Sequence, residues 1–162
     1  MDEWTLVYES YSAEQERLRE SLCTVGNGYF ATRGAAPESV ADAVHYPGTY
    51  LAGGYNRLTS EVAGHQIENE DLVNLPNWLP LSFRIDDGEW FDLAKAQVQI
   101  LDFHQELDLH RGILERRVRF IDNNHRVSRL GQRRLVHMGM PHIAALSTTL
   151  VAENWSGRVE IC

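Results

Sequence analysis

The stretch TVGNGYFATRG contains the glycine spacing of a nucleotide-binding turn. Gly26, Gly28 and Ala31 fit the loose dinucleotide pattern, in which the N–H groups of a following helix bind a pyrophosphate. That mechanism requires a buried strand before the first glycine and a helix after the last. Gly34 and Pro37 would interrupt the first turns of such a helix. A nucleotide site is therefore disfavoured, and the turn needs another explanation.

The seven histidines do not show the spacing of a metal site. They lie at positions 45, 65, 104, 110, 125, 137 and 142, with no H-x-x-x-H pair and no pairing with cysteine. A metal site would have to be assembled from distant strands. The chain also has no G-x-S-x-G nucleophile elbow, and Cys23 lacks the local signature of an activated thiol. We predict no metal site and no cofactor.

Carboxylates of the kind that perform acid–base work on a glycoside are plentiful. They form two sequence clusters: Glu68, Glu70 and Asp71, and Asp86, Asp87 and Glu89. Carboxylates at turns and loop tips are far more often solvated than catalytic. The residues alone therefore do not establish catalysis by this chain.

Length and composition fit one globular domain over residues 1–162, with 43% apolar residues to build a core. The N-terminus has no signal-peptide pattern, and no apolar stretch approaches the ~18 to 20 residues of a membrane span. Two cysteines, Cys23 and Cys162, could form at most one disulfide, and two reduced thiols are the favoured alternative. We predict a cytoplasmic protein with no membrane partner.

Arginine is concentrated in one part of the chain, although the net charge is −8. Eight of the 14 arginines fall between positions 111 and 134. A nucleic-acid binder could cluster arginines in this way, but it would usually interleave aromatic residues, and this segment has only Phe120. The favoured alternative is a pair of strands whose outward arginines contact carboxylates on neighbouring strands. We predict no nucleic-acid partner.

Strand periodicity is the strongest structural signal. Three hairpins are predicted: one turning at Asp87-Gly88, one with DNNH as its turn, and one in which NWSG turns HIAALSTTLVAE into RVEIC. In the second, Leu114, Val118 and Phe120 share one face, and the other face carries Glu115, Arg117 and Arg119. HIAALSTTLVAE is apolar on both faces, which indicates a strand covered on both sides. Only residues 12–21 have a helical composition. These signals predict a large antiparallel β-sandwich.

Residues 35–80 are rich in Gly, Pro, Asn and aromatic residues and have poor periodicity. We predict a long irregular insertion, and a loop of this length in a compact domain is usually functional or packs against another part of the protein. Its mixture of aromatic and polar side chains suits contact with a sugar or with another domain. The candidate contact residues are Tyr50, Tyr55, Asn56, Arg57, Asn77 and Trp78.

An ordered series of segments resembles the N-terminal domain of glycoside hydrolase family 65, which includes the maltose, trehalose and kojibiose phosphorylases. The series is LCTVGNGYFATRG, YPGTYLAGGYNR, LVNLPNW, FRIDDGEWFDL and RGILERRVRF. Ala31 stands where the family commonly has glycine, and LDLH at 107–110 replaces the family's LDMR. The resemblance implies a large (supersandwich-like) antiparallel β-sandwich, followed in the whole protein by an (α/α)6 barrel that carries the glutamate general acid and the site for inorganic phosphate.

The resemblance also implies a function. We expect a non-catalytic domain of an inverting phosphorylase or hydrolase of α-glucosyl disaccharides, with the barrel domain as its partner and a homo-oligomeric whole protein. Gly26, Gly28 and Gly34 would then shape a turn and close packing. The alternative is a free-standing carbohydrate-binding sandwich, in which Tyr50, Tyr55, Trp78 and Trp90 stack on sugar rings.

Overall fold

The structure, a computed structural model, describes residues 3–95 and 98–162. Its elements are β1 (Thr5–Tyr8), a 3₁₀ turn (Ala13–Gln15), α1 (Glu16–Leu22), β2 (Val25–Gly26), β3 (Phe30–Thr32), β4 (Thr49–Leu51), β5 (Tyr55–Val62), β6 (His65–Leu72), β7 (Phe83–Ile85), β8 (Val98–Asp108), β9 (Ile113–Asp122), β10 (Val127–Val136), β11 (Ala144–Ala152) and β12 (Val159–Ile161). Antiparallel strands dominate, which confirms the predicted all-β class. None of the helices in the described residues has the length and apolar character needed to cross a membrane.

Five strands form the main sheet in the order β1-β8-β9-β10-β11, and every neighbouring pair is antiparallel. The predicted hairpin of β9 and β10 lies at its centre, and the Asp122 backbone carbonyl accepts the His125 N–H (2.9 Å) at the turn. The alternation in β9 is confirmed, because its apolar side chains are buried on one face and its arginines 117 and 119 are exposed on the other. The buried set is Leu114, Val118 and Phe120.

Two small sheets cover one face of the main sheet and make the second layer of the sandwich. Phe83 of the β7–β12 sheet is buried in one cluster with Phe103 and Val118 of the main sheet. Val25 of the β2–β3–β4 sheet is buried in a second cluster with Leu107. The core therefore lies between the main sheet and these two sheets, which agrees with the predicted sandwich.

The hairpin predicted at Asp87-Gly88 is only partly formed. The turn exists, because the Gly88 N–H donates to the Ile85 carbonyl (3.1 Å). However, the ladder partner of β7 is β12 and not the run that follows the turn. The returning chain makes one backbone bond to β7, from Phe91 N–H to the Phe83 carbonyl (2.8 Å). Asp92 then accepts the Ala94 N–H (2.9 Å) and bends the chain away from an extended course.

The third predicted hairpin is wrong, because β11 pairs with β10 while β12 pairs with β7 in the other layer. Asn154 fixes this crossing: its side chain accepts the Val127 N–H (2.7 Å) and donates to the His125 carbonyl (3.0 Å). The prediction that β11 is covered on both sides is also wrong. It is an edge strand of the main sheet, and its side chains alternate between half-buried and exposed.

The helix predicted over residues 12–21 is confirmed as the 3₁₀ turn and α1, but its buried side is polar. Leu18 and Leu22 are exposed, whereas Glu16, Arg19 and Glu20 are buried. Arg19 donates to the Ser10 carbonyl (2.6 Å), and its guanidinium lies 4.4 Å from the ring centre of Tyr8. The helix is thus held to the sheet by hydrogen bonds and a cation–π contact, and not by a leucine stripe.

The prediction of one irregular insertion over residues 35–80 is wrong in its middle part. β5 and β6 form a separate two-stranded hairpin, which turns at Ala63 and Gly64 with positive φ at both residues, as a two-residue hairpin loop requires. Every residue of these strands is exposed except the half-buried Ser60. The sequence gives no alternation here because no face of the hairpin is buried.

The glycine-rich stretch reverses the chain between β2 and β3, which pair in an antiparallel manner. β3 follows it where a nucleotide site would require a helix. A Cβ at Gly26 would lie 2.7 Å from the Ala31 Cβ, and one at Gly34 would lie 2.6 Å from the Cys23 Cβ. Gly28 has open space around it, so the packing interpretation is confirmed for Gly26 and Gly34 but not for Gly28. Cys23 and Cys162 are free thiols.

Candidate functional site

The six predicted contact residues are divided among three places. Tyr50 is half-buried in β4, and burial and a hydrogen bond with Tyr46 raise its pKa. Tyr55, Asn56 and Arg57 begin β5 and are exposed. Asn77 and Trp78 are half-buried in the irregular segment before β7. Within the described residues, no hydrogen bond, ion pair or ring contact joins the β5 group with the other two places, so these residues do not form one site.

The β5–β6 hairpin, residues 55–72, is an acidic surface. It carries one arginine, Arg57, against four carboxylates, Glu61, Glu68, Glu70 and Asp71, which leaves a formal charge of −3. Arg57 contacts Glu70 (3.1 Å) and Glu68 (3.6 Å) across the ladder. The register places Leu58, Val62 and Ile67 on the opposite face, and all three are exposed. One face is thus charged and the other is partly apolar.

A groove of about 560 Å³ is lined by the segment after β3, the segment before β7 and the last residue of the sequence, Cys162, and Asn77 is the one predicted contact residue that lines it. We call it the end groove. Its walls are mainly apolar, and its amide groups are already engaged within the chain: Asn77 accepts the Leu79 N–H (3.1 Å) and Asn74 accepts the Thr49 N–H (3.0 Å). The other lining residues include Pro37, Val40, Pro47, Leu75, Leu81, Trp90 and Cys162.

Buried charges attach one wall of the end groove to the main sheet. Glu38 receives two hydrogen bonds from Arg116 of β9, one of them 3.0 Å long, and Arg116 also donates to Gln132 (3.0 Å). Arg134 of β10 donates to the backbone carbonyls of Arg33 (2.9 Å) and Ala35 (2.6 Å). These bonds fix the segment that follows β3 onto the inner face of the main sheet.

A second buried contact fixes the same segment further along the chain. Glu20 of α1 contacts the His45 ring nitrogen Nδ1 (2.8 Å) with one oxygen and accepts the Tyr46 N–H (2.8 Å) with the other. Asp42 accepts the Val44 and His45 N–H groups, and these hydrogen bonds lower its pKa. The segment therefore follows a defined course although it contains no regular structure.

The electrostatics of this buried cluster suit structural support better than catalysis. Burial, and after it the neighbouring Arg116, lowers the pKa of Arg134 to about 10. Burial also raises the pKa of Glu16, against the opposing effect of Arg116 and Arg19. A general acid must reach a substrate through a cleft, but Glu16, Glu20 and Glu38 have buried side chains.

Sequence reasoning missed Arg116 and Arg134, because they belong to the arginine cluster that was expected to point outward. Their positions contained the signal, since Arg116 lies between Leu114 and Val118 at the inward spacing of two residues. The outward arginines behave as predicted: Arg119 and Arg129 both contact Glu153 (2.8 Å each). Within residues 3–95 and 98–162, no group of three His, Cys, Asp or Glu side chains could hold a metal ion.

A second, smaller cleft of about 230 Å³ lies beside Trp90. We call it the Trp90 cleft. Its walls are the turn after β7 and the turn between β9 and β10, and its base is formed by Phe83, Phe91 and Phe120. Polar side chains stand at its rim: Arg84, Asp87, Glu89, Asp122, Asn123, Asn124 and Arg126.

The fold and these surfaces define a two-layer antiparallel β-sandwich that presents a projecting hairpin and two clefts. Residues 6–162 match the family described as "Glycosyl hydrolase family 65, N-terminal domain". The chain therefore belongs to glycoside hydrolase family 65 and represents its N-terminal domain. The resemblance found in the sequence is thus confirmed.

Similar proteins share this assignment. The chain is 52% identical over 159 residues to an uncharacterised glycosyl hydrolase of Mycobacterium tuberculosis (strain H37Rv), covering 98% of this chain and 12% of that protein. It is 40% identical over 112 residues to the trehalose 6-phosphate phosphorylase of Lactococcus lactis, covering 67% and 14%. It is 28% identical over 160 residues to the kojibiose phosphorylase of Thermoanaerobacter brockii, covering 99% and 19%.

A solved structure supports the fold. A human-microbiome protein described as a kojibiose phosphorylase superposes with a TM-score of 0.79 at 24% identity, over 91% of this chain and 19% of that one. At this identity the likeness concerns the fold alone. The chain thus spans less than a quarter of the length of each of these relatives.

Proposed function

We propose that this chain is a non-catalytic N-terminal domain of an inverting phosphorylase or hydrolase that acts on α-glucosyl disaccharides. The observation that carries the proposal is the family match over residues 6–162 together with relatives named kojibiose, trehalose 6-phosphate and maltose phosphorylase. Its buried carboxylates are engaged within the sandwich, which supports a scaffold role. The protein needs no cofactor, and it works in the cytoplasm.

In the whole protein, inorganic phosphate would attack the anomeric carbon on the face opposite the leaving sugar, while a glutamate outside this chain protonates the glycosidic oxygen. Purified 162-residue chain should therefore release no glucose 1-phosphate from maltose, trehalose or kojibiose in the presence of phosphate. Phosphate-dependent release above that of a mock purification would refute the non-catalytic role.

The hairpin of residues 55–72 is the surface that we assign to contact with the rest of the whole protein, either the barrel domain or a second subunit. Isolated two-stranded hairpins are marginally stable, and this one has both faces exposed. Its charge of −3 suits a basic surface. Long segments presented by a rigid sheet commonly carry binding functions. Tyr55, Asn56 and Arg57 then serve as contact residues.

Limited trypsin digestion tests this assignment, because Arg57 is the only lysine or arginine between Arg33 and Arg84. In the 162-residue chain the hairpin has no partner, so cleavage after Arg57 should precede cleavage in the arginine-rich segment of β9 and β10. Mass spectrometry of the first fragments identifies the site. Early cleavage within residues 111–134 with Arg57 intact would refute the assignment.

The free-standing carbohydrate-binding module remains an alternative prediction. Three of its four proposed stacking residues give it little support, because Tyr50 is half-buried, Tyr55 lies on the hairpin, and the Trp78 indole nitrogen is buried without a partner among the described residues. Trp90 alone stands at a cleft that combines aromatic and polar groups.

A further inference from the structure

We propose that the Trp90 cleft binds a neutral pyranose ring. The cleft joins an aromatic base to a rim of carboxylates, amides and guanidinium groups. This is the combination that a sugar requires, because a pyranose has an apolar C–H face and a ring of hydroxyls that donate and accept hydrogen bonds. The site goes beyond the scaffold role proposed above.

The aromatic part of the cleft is held rigidly. Phe83 and Phe91 stack with ring centres 4.7 Å apart, and Phe91 lies 4.8 Å from Phe120. Trp90 is partly exposed, and the Arg84 guanidinium lies 5.1 Å from its ring centre. Arg84 is in turn fixed by Glu160 of β12 (2.7 Å). A rigid aromatic surface loses little conformational entropy when a ligand binds.

The two turns that form the walls are joined by one arginine. Arg126 donates to Asp122 (2.7 Å) within its own turn and to Asp86 (2.8 Å) in the turn after β7. Asp122 also accepts the Asn124 and Arg126 N–H groups (2.9 and 3.0 Å). The spacing of the walls is therefore fixed before any ligand arrives.

Unengaged polar groups remain at the rim of this fixed frame. Among the described residues, the side chains of Glu89, Asn123 and Asn124 make no hydrogen bond or ion pair with another part of the chain, although all three line the cleft. An asparagine amide offers both donors and acceptors, and a carboxylate offers acceptors only. Together they match the mixed hydrogen-bonding pattern of adjacent hydroxyl groups.

The charges of the lining favour a neutral ligand over an anion. Two arginines stand against three carboxylates, Asp87, Glu89 and Asp122. Both arginines already contact carboxylates, Arg84 with Glu160 and Arg126 with Asp122 and Asp86. A phosphate or a sugar phosphate would therefore meet net negative charge and, among the described lining residues, no cation without a carboxylate partner.

Titration of the ¹⁵N-labelled 162-residue chain with maltose, followed by NMR, tests the proposal. We expect saturable shifts of the amides in segments 85–91 and 122–126, with a Kd on the order of millimolar, as a small and exposed site permits. Absence of saturable shifts, or saturable shifts confined to the 55–72 hairpin, would overturn it. Stronger binding of inorganic phosphate at the same amides would also overturn it.

Two variants test whether maltose binds in the Trp90 cleft. Trp90→Ala should weaken maltose binding about tenfold. Because Trp90 also lines the end groove, the double variant N123A/N124A provides a second test at exposed positions that line the Trp90 cleft and should weaken binding about fivefold. The matched control Trp4→Ala, at an exposed position outside the cleft, should leave it unchanged. Unchanged maltose affinity in N123A/N124A would overturn the assignment of binding to the Trp90 cleft. This outcome does not depend on the trypsin test of the 55–72 hairpin.

Discussion

Two hairpins of this chain have the same secondary structure and opposite relations to the core. The β9–β10 hairpin buries one face of both strands under the second layer. The β5–β6 hairpin makes its ladder with regular register and buries almost nothing. Backbone pairing is thus common to both, whereas burial of side chains is not. Since apolar burial supplies most of the stability of a fold, the first hairpin belongs to the cooperative core and the second depends on other contacts.

The largest predicted difference between the two hairpins is the loss of stability when an ion pair of each is broken. The Arg116–Glu38 pair is 9% and 3% exposed, whereas Arg57 and Glu70 are 69% and 54% exposed. Glu38→Ala leaves the Arg116 charge buried without its partner and should lower the free energy of unfolding by about 3–5 kcal/mol. Arg57→Ala should lower it by less than about 1 kcal/mol. Urea unfolding of both variants measures the two losses, and equal losses would contradict the distinction.

Leucine substitutions make the same comparison without charge. Leu130 of β10 is 0% exposed and Leu58 of β5 is 55% exposed. Leu130→Ala should cost about 2–5 kcal/mol, because it removes buried contacts and leaves a cavity. Leu58→Ala should change the free energy of unfolding by no more than about 0.5 kcal/mol. A loss above that value for Leu58→Ala in the 162-residue chain would show that the hairpin packs against the sandwich.

These contrasts explain which parts of the fold the sequence predicts. The β9–β10 hairpin is predictable because its inner face is buried, and burial imposes the alternation of Leu114, Val118 and Phe120. The β5–β6 hairpin is not, because neither face meets a core that would select apolar residues at every second position. Its turn is also atypical, since Ala63 occupies a position of positive φ (51°) that usually favours Asn, Asp or Gly.

Pairing between distant strands is the part that local patterns cannot supply. β7 and β12 are separated in sequence by the four strands β8 to β11, and their register depends on packing against the main sheet. The buried arginines show a related limit. Charge suggested an outward side chain at Arg116, but Glu38, 78 positions away in sequence, compensates it. The Trp90 cleft likewise joins turns that only the tertiary fold brings together.

A substitution at the turn of the β5–β6 hairpin should lower the local stability of that hairpin alone. Gly64 has φ +80° at the tip of the β5–β6 turn, where an alanine is strained by about 1–2 kcal/mol. Gly64→Ala should therefore speed hydrogen exchange of the β5–β6 amides roughly fivefold or more while leaving the β9–β10 amides unchanged, because local openings carry their own free energies. Exchange mass spectrometry measures both. Equal acceleration in the two hairpins would mean that they unfold as one unit.

The smallest predicted effect concerns a titrating group on the outer face of the main sheet. His104 of β8 contacts Glu9 (3.0 Å) and Glu106 (3.2 Å). Burial opposes protonation, but the hydrogen bonds to Glu9 and then Glu106 dominate and raise the pKa of His104 above its ordinary value, against the neighbouring Arg117.

A raised pKa in the folded state means that the protonated histidine favours folding. The stabilisation is complete below the unfolded-state pKa of about 6.5 and is lost as the pH rises through the higher folded-state pKa. Wild type should therefore exceed His104→Gln in stability more at about pH 5.5 than at about pH 8.5, by less than about 1 kcal/mol because Glu9 is exposed. Urea unfolding at both pH values measures this difference. His65→Gln, at the tip of the β5–β6 hairpin, is the matched control, because His65 makes no ion pair within the described residues. A pH-dependent loss of equal size in the control would assign the effect to histidine loss in general and not to the contacts of His104.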